Sequence, residues 1–411
     1  MNKSFSSSTD ARPESFYGLP FDVRFCKKCV ISNQRPSSSI EFKSTKNTPK
    51  ATINFDNDGV CSACRFAEIK ANSINWDSRE DLLLKLCDRF RGKSGKYDVV
   101  VPGSGGKDSA YTSHILKYKY GMNPLTVTWA PHLYTDIGFK NFSNWIHIGG
   151  LDNILFTPNG KLHRTLTKIS FLNLLHPFQP FIVGQRAIAP RIATKFNIPL
   201  IVYGENAAEY GHNINENNNP LMSPKFFSTK NVKDTYLGGL KINKIMKEYN
   251  FKINDLEPYL PSDRSEINKK KIKVFYMSYF MKWDPQENFY YASEHTGFKS
   301  NTERTEGTYS KYSSIDDKID NFHWYTTLIK FGIGRATYES AQEIRNDKIT
   351  RNEGVNLVKQ YDQEFPKKYF KDFLKYIDID ERTFYKTIDK FRSPHLWKKN
   401  NKKWVLKHKV S

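Results

Sequence analysis

The run Ser104-Gly105-Gly106-Lys107-Asp108-Ser109 has the make-up of an anion-binding turn. It follows a β-branched stretch, Tyr97-Asp98-Val99-Val100-Val101-Pro102, and precedes a segment, Ala110–Tyr120, that reads as a helix. Adjacent glycines let the backbone come close to an anion, and a helix N-terminus offers unpaired N–H groups with a partial positive charge. Ser104 and Ser109 add hydroxyls and Lys107 adds a charge. Asp108 is open to two readings, a metal-binding or loop-orienting carboxylate or a cap for the helix that follows. The run is not a Walker A loop. That pattern needs Gly where Val101 stands and Ser or Thr where Asp108 stands.

A second set of chemistry-bearing residues lies near the N-terminus. All five cysteines, Cys26, Cys29, Cys61, Cys64 and Cys87, fall within the first 87 residues. Four of them form two C-x-x-C pairs. Each pair makes a tight knuckle that turns two thiolates toward one ion, and two pairs together suit a tetrahedral structural Zn²⁺ site. Disulfides are disfavoured in a cytosolic chain. A redox role for one pair is the rival reading. Cys87 lies in the helical run Asp81–Phe90, where a buried thiol is expected.

The elements that must position these residues follow from the apolar pattern. Short runs rich in β-branched or aromatic residues recur at Tyr97–Pro102, Leu125–Trp129, Asn153–Thr157 and Pro199–Tyr203, with a fifth candidate at Ile272–Met277. Each of the first four reads as a buried parallel strand, and the segments between them are long enough for crossover helices. This alternation predicts an α/β fold with a doubly wound parallel sheet. Beyond about residue 315 the pattern turns helical, aromatic and basic, with helices expected near Asp320–Lys330 and Ile349–Tyr361. Thr350 and Glu353 have capping-box spacing. Four regions result: a disordered polar tail over 1–20, a cysteine module over 21–80, an α/β domain over 92–290 and a mainly helical region over 291–411.

The chain has 411 residues and a formal charge of +21, which suits an anionic partner, whether nucleic acid, nucleotide, sugar nucleotide or an acidic subunit; a solvated lysine-rich surface is the other reading. No stretch approaches the roughly 18 apolar residues of a membrane span. The N-terminal segment lacks an apolar signal region, so the expected location is cytoplasmic.

With strand, loop and helix in that order, the loop resembles the SGG-x-DS loop of the PP-loop pyrophosphatase superfamily. That resemblance implies an ATP substrate cleaved between its α and β phosphates, with the loop holding pyrophosphate and Mg²⁺ neutralising its charge. Thiolating tRNA-modifying enzymes of that superfamily are similar in joining zinc cysteines to the loop, and they remain the alternative reading. They use cysteines after the loop, and here none follows Cys87; this demotes nucleic acid as a substrate. A third reading is a non-catalytic, zinc-bearing nucleotide-binding subunit, which an intact loop argues against. Glutamine-dependent relatives need Cys at position 2 or a Gly-flanked Cys, but Asn2 stands at the former and no cysteine meets the latter. Ammonia must then come from another protein.

Over nearly its full length the chain resembles the N-acetyl sugar amidotransferases of surface-polysaccharide and flagellin-sugar synthesis, also called LPS biosynthesis or pseudaminic acid amidotransferases. The residues that carry the resemblance are Cys26-Lys-Lys-Cys29, Phe55 to Cys64, Val101 to Ser109, Tyr203-Gly-Glu-Asn206 with Glu209-Tyr-Gly211, Lys330 to Arg335, and Ile344-Arg345 to Arg351. The family is similar in turning a sugar N-acetyl group into an acetamidino group. It implies a nucleotide-linked N-acetyl sugar as substrate and separate glutaminase and ammonia-channel subunits similar to the histidine-biosynthesis pair.

Site residues are expected beyond the carboxyl ends of the strands. Gly204, Glu205 and Asn206 follow one strand. Glu205 is a candidate for Mg²⁺ or ammonia and Asn206 for the acyl group. Thr128 and Trp129 end the second strand, where the superfamily resemblance puts adenine; core packing is the other reading of Trp129. Ser104, Gly105, Gly106, Lys107, Asp108, Ser109 and Gly204 complete the cofactor set. Lys107, Asp108, Glu205 and Lys330 form the catalytic set, and Arg335, Arg345 and Arg351 join Asn206 in holding substrate. The other reading of these basic residues is a solvated face.

Overall fold

A computed structural model describes residues 18–37, 50–92, 96–204, 209 and 219–411. Its centre is a parallel sheet. The strands, in chain order, are β1 (Val99–Pro102), β2 (Pro124–Trp129), β3 (Asp152–Phe156), β4 (Leu200–Tyr203) and β5 (Lys273–Tyr276), and their order across the sheet is β3-β2-β1-β4-β5. Every adjacent pair is parallel. The chain adds β2 and then β3 on one side of β1, and returns to place β4 and β5 on the other. The order therefore reverses between β1 and β4, the kind of point beyond which open α/β sheets bind ligands.

Alternation along the strands explains why both faces are covered. Val100 and Ile201 join one buried cluster with Leu125, Val127 and Trp129. Their neighbours Val99, Val101, Leu200 and Val202 point the other way and join Leu83, Cys87, Ile115 and Leu116. The second set comes from α2 (Trp76–Phe90) and α3 (Lys107–Tyr118), the first helix after α1 (Ser62–Asn72) and the helix after β1. Opposite lie α5 (Gly160–Leu174) and α6 (Gln179–Phe196), while α4 (Asp136–His147) flanks the loop after β1. Side chains start these helices: Asn75 accepts from Ser78 N, Thr135 from Gly138 N, and Asn159 from Lys161 N and Leu162 N. All five strands expected from the apolar runs are present.

Past β5, helix α7 (Pro285–His295) packs against α3. The C-terminal region is helical, as expected. It contains α8 (Asp320–Phe331), α9 (Arg335–Arg345), α10 (Arg351–Tyr361), α11 (Phe370–Ile377) and α12 (Glu381–Phe391), followed by a hairpin of β6 (Trp397–Asn400) and β7 (Lys403–Leu406). Thr350 and Glu353 form the expected capping box at the start of α10. Phenylalanines bind this region to α5: Phe322 and Phe373 stack at 4.2 Å, and Phe171 meets Phe373 and Phe384 at 5.5 Å.

One short segment carries the C-terminal region to the mouth of the sheet. Tyr134 and Asp317 form a β-bridge, Thr135 N donates to Asp316 O, and Lys318 N donates to Leu133 O. Gly138, in the first turn of α4, makes room for it. A Cβ there would lie 2.4 Å from Asp316 Cα.

Candidate active site

The loop after β1 is shaped by its glycines. Gly103 N still donates to Val127 O at 3.0 Å, and the chain then leaves the sheet. Gly105 has φ +84°, and a Cβ on it would stand 2.6 Å from Phe142 Cα. No other residue fits that left-handed turn against α4. Gly106 is the N-cap of α3 and contributes no side chain, so the first-turn N–H groups of α3 have no side-chain cap. This is the arrangement that receives an anion. Ser109 Oγ donates to Gly106 O at 3.0 Å. Lys107 Nζ donates to Asp108 Oδ2 at 2.5 Å, and Asn288 Nδ2 of α7 donates to Asp108 Oδ1 at 3.0 Å. Asp108 is thus an orienting group for Lys107, itself held from α7.

The loop forms one wall of a cavity of about 140 Å³. Ser104 through Asp108 line it together with Asn141 of α4, Tyr312, Asp316 and Arg335. The volume is below the roughly 300–1,000 Å³ of sites that enclose a whole drug-sized ligand. It suits the phosphate end of a larger molecule.

The facing wall mixes acid and base. Burial raises the Asp316 carboxyl above its usual range, and neighbouring Asp317 adds to the effect; the Ser104 hydroxyl and Arg335 oppose it. Burial likewise pushes Asp320 up to about 6, with Arg335 pulling against it. Arg335 Nε donates to Glu339 Oε1 at 2.9 Å, and its guanidinium lies 4.5 Å from the Trp324 ring centre. Glu339 also accepts from the Thr308 hydroxyl. Arg335 opens α9, and Asp362 holds that end. Asp362 accepts from Gly334 N at 2.9 Å, Thr337 N at 2.9 Å and Thr337 Oγ1 at 2.8 Å.

Past β2 the chain enters a buried histidine cluster. Asp317 accepts from His132 N and pairs with His132 Nδ1, both at 2.8 Å. The His132 ring lies 4.7 Å from that of His163, whose Nδ1 pairs with Tyr259 OH at 2.8 Å. Burial, and then nearby His132, hold His163 well below the ordinary histidine range. Adjacent residues therefore face different groups: Asp316 meets the loop and Asp317 meets His132.

The cysteine module is compact. The four sulfurs of Cys26, Cys29, Cys61 and Cys64 are buried and lie within 4.8 Å of one another. Cys26 Sγ and Cys64 Sγ are 3.9 Å apart, and Cys29 Sγ and Cys61 Sγ are 3.7 Å apart. A tetrahedron with metal–sulfur arms of about 2.3 Å has edges of about 3.8 Å. All four thiols are free, and the cluster can hold a metal such as zinc. Cys87 is buried apart from it in α2, as expected.

The sequence-predicted residues divide accordingly. Ser104, Gly105, Gly106, Lys107, Asp108 and Arg335 line one cavity, and Ser109 adjoins it. Gly204 directly follows β4, where a Cβ would meet Trp283 at 2.8 Å and Thr112 of α3 at 3.1 Å. Thr128 and Trp129 are interior. Thr128 Oγ1 accepts from Asn153, and the Trp129 ring packs on Phe156 at 5.0 Å and Tyr259 at 5.1 Å. Lys330 is buried and donates to Leu174 O at 2.7 Å, joining α8 to the end of α5. Arg345 reaches Cys29 Sγ at 3.9 Å and Glu209 O at 3.0 Å; Arg351 reaches Ser411 O at 2.7 Å and Cys26 O at 3.4 Å. Both serve the cysteine module, and neither lines the loop cavity. Glu205 and Asn206 lie outside the described residues.

Sequence reading missed Asp316, Asp320, Asn288 and the Asp317–His132 pair. The only local signal for three of them is the acidic run Ser314-Ile315-Asp316-Asp317-Lys318-Ile319-Asp320, which resembles any solvated turn. Residues 306–411 are similar to the LPS biosynthesis protein WbpG-like, C-terminal domain. The WbpG-like segment thus supplies Asp316, Asp317, Asp320 and Arg335 to the mouth of the sheet, and its match suggests a part in LPS biosynthesis. No curated protein matches the chain.

Proposed function

We propose that this chain is an ATP-dependent amidotransferase of LPS or related surface-glycan synthesis. It converts the N-acetyl group of a nucleotide-linked sugar into an acetamidino group. The observation that carries the reading is the glycine loop at the β1–β4 reversal, facing Asp316 and Arg335 of the WbpG-like segment across one cavity.

The chemistry follows from leaving-group quality. An amide oxygen departs poorly. Its attack on the α-phosphorus of ATP forms an O–P bond and expels pyrophosphate, leaving an O-adenylyl imidate. Ammonia then adds to the acyl carbon, the C–O bond breaks, and AMP carries the former acetyl oxygen away. A proton is lost and a cationic amidine remains. The N-terminal amides of α3, the hydroxyls of Ser104 and Ser109, Lys107 and Arg335 stabilise charge growing on the departing pyrophosphate. Bound Mg²⁺ would neutralise part of that charge, and Asp316, beside Ser104, is the carboxylate best placed to hold it. Glu205 and Asn206, directly after Gly204 in sequence, are assigned to ammonia and the acyl group. Lys330, Arg345 and Arg351 are reassigned to structure, because their cationic groups are engaged away from the cavity. A separate glutaminase supplies the ammonia, and zinc in the cysteine module is structural.

The test is product analysis. Purified protein with ATP, Mg²⁺, ammonium chloride and UDP- or CMP-linked N-acetyl sugars should release AMP and pyrophosphate only when a sugar acceptor is present. ADP and phosphate in their place would exclude this function.

A further inference from the structure

The cysteine cluster and the loop cavity are joined by one rigid element and one buried ion pair. Helix α9 runs from Arg335, in the cavity, to Arg345, whose guanidinium lies 3.9 Å from Cys29 Sγ. Its ends are about 15 Å apart at 1.5 Å per residue. Ala341 of α9 and Val355 of α10 belong to the same buried cluster as the four cysteines. The helix therefore packs on the module as well as touching it.

The second link begins at Cys61, the N-cap of α1. Lys70, near the far end of that helix, is 3% exposed. Its ammonium donates to Glu209 Oε2 at 2.7 Å and to Trp283 O at 3.3 Å. Trp283 in turn packs on Gly204, the residue that follows β4. Arg345 Nη2 also donates to Glu209 O at 3.0 Å. Glu209, itself 9% exposed, is thus gripped from both sides by residues rooted in the cysteine module. A surface staple would not need this. A buried ion pair is costly to form, and losing one partner leaves the other charge uncompensated.

We propose that the cysteine module, when it holds a metal, positions the loop cavity. It fixes the far end of the helix that presents Arg335, and through Lys70 and Trp283 it fixes Gly204, the residue after β4. Arg345, Lys70 and Glu209 are positioning residues. They touch no substrate but set where Arg335 and the β4 exit stand. The pyrophosphate part of the test rests on the function proposed above; the exchange part does not.

The experiment uses the full-length protein in three forms: zinc-loaded wild type, zinc-loaded Arg345→Ala, and wild type stripped of metal by a chelator. Amide hydrogen exchange is read at Arg335–Ser340 and Leu200–Gly204, and inorganic pyrophosphate binding is measured with Mg²⁺ by calorimetry. Metal removal and Arg345→Ala should both speed exchange at these two places while the β1–β3 core stays protected. Arg345→Ala should retain its zinc and still bind pyrophosphate about tenfold more weakly. Lys70→Met, also zinc-loaded, should speed exchange at Leu200–Gly204 and guards against a variant that fails to fold. Faster exchange confined to residues 18–72 would overturn the proposal. If wild type binds no pyrophosphate, the reading of the loop fails, and the exchange results alone decide the coupling.

Discussion

Ser109, beside the loop cavity, and Asp316, which lines it, each give a separate test of the proposed phosphate site. Ser109→Ala should lower turnover by roughly 10²-fold or more, the loss seen when one donor to a developing anion is removed. Its melting temperature should stay close to wild type, because the hydroxyl donates within its own loop, to the Gly106 carbonyl. Steady-state kinetics beside a thermal melt checks both halves. Asp316→Asn keeps shape but removes a charge. It should raise the Mg²⁺ concentration needed for half-maximal rate, and an unchanged requirement would remove Asp316 from the metal's ligands. The glycine loop was legible because its neighbours in sequence are its neighbours in space. Asp316 was not, because its meaning comes from Ser104, more than two hundred positions away. The surroundings of Lys330 are illegible for a related reason. A basic side chain in a helix reads as a ligand or a surface group, whereas its ammonium is buried against the Leu174 carbonyl.

The strands were the most legible elements, since Val-Val-Val and Leu-Ile-Val runs have few alternatives to a buried parallel sheet. Helix starts were less so. Helix α3 begins at Lys107, three residues before the expected Ala110, because the glycine turn feeds it directly. The capping box at Thr350 and Glu353 was readable from spacing alone, and Thr350→Ala should cost about 1 kcal/mol by denaturant titration. The cap on α9 was not readable, because Asp362 supplies it from beyond the end of α10. Burial raises the Asp362 carboxyl from 3.8 to about 6, against the hydrogen bonds from Thr337 and Gly334. A raised folded-state value gives stability that is full below the unfolded value and is lost as pH rises through the folded one. Wild type should therefore lose stability relative to Asp362→Asn between about pH 4 and about pH 7. A stability difference that does not change with pH would mean that the carboxyl titrates normally.

At the scale of the whole molecule, a parallel sheet and a WbpG-like segment meet at the loop cavity, and helix α9 runs from that cavity to a cysteine module. The +21 charge is compatible with an anionic partner and gives it no place, since charge count carries no geometry. Metal analysis of fresh, reduced protein should find one zinc per chain, and Cys26→Ser or Cys61→Ser should abolish it and lower solubility. The isolated chain should fail to hydrolyse glutamine while accepting ammonium salts; glutamine hydrolysis by the purified chain would contradict the separate ammonia supply. The claim that binds the parts together is adenylation of an amide oxygen, and an isotope follows that oxygen directly. With ¹⁸O in the acetyl carbonyl of the nucleotide-linked sugar, mass spectrometry should find the label in AMP and a sugar product about 3 Da lighter than the labelled substrate, which is about 1 Da lighter than the unlabelled sugar, as NH replaces O. Label retained in the sugar or released in inorganic phosphate would contradict the account.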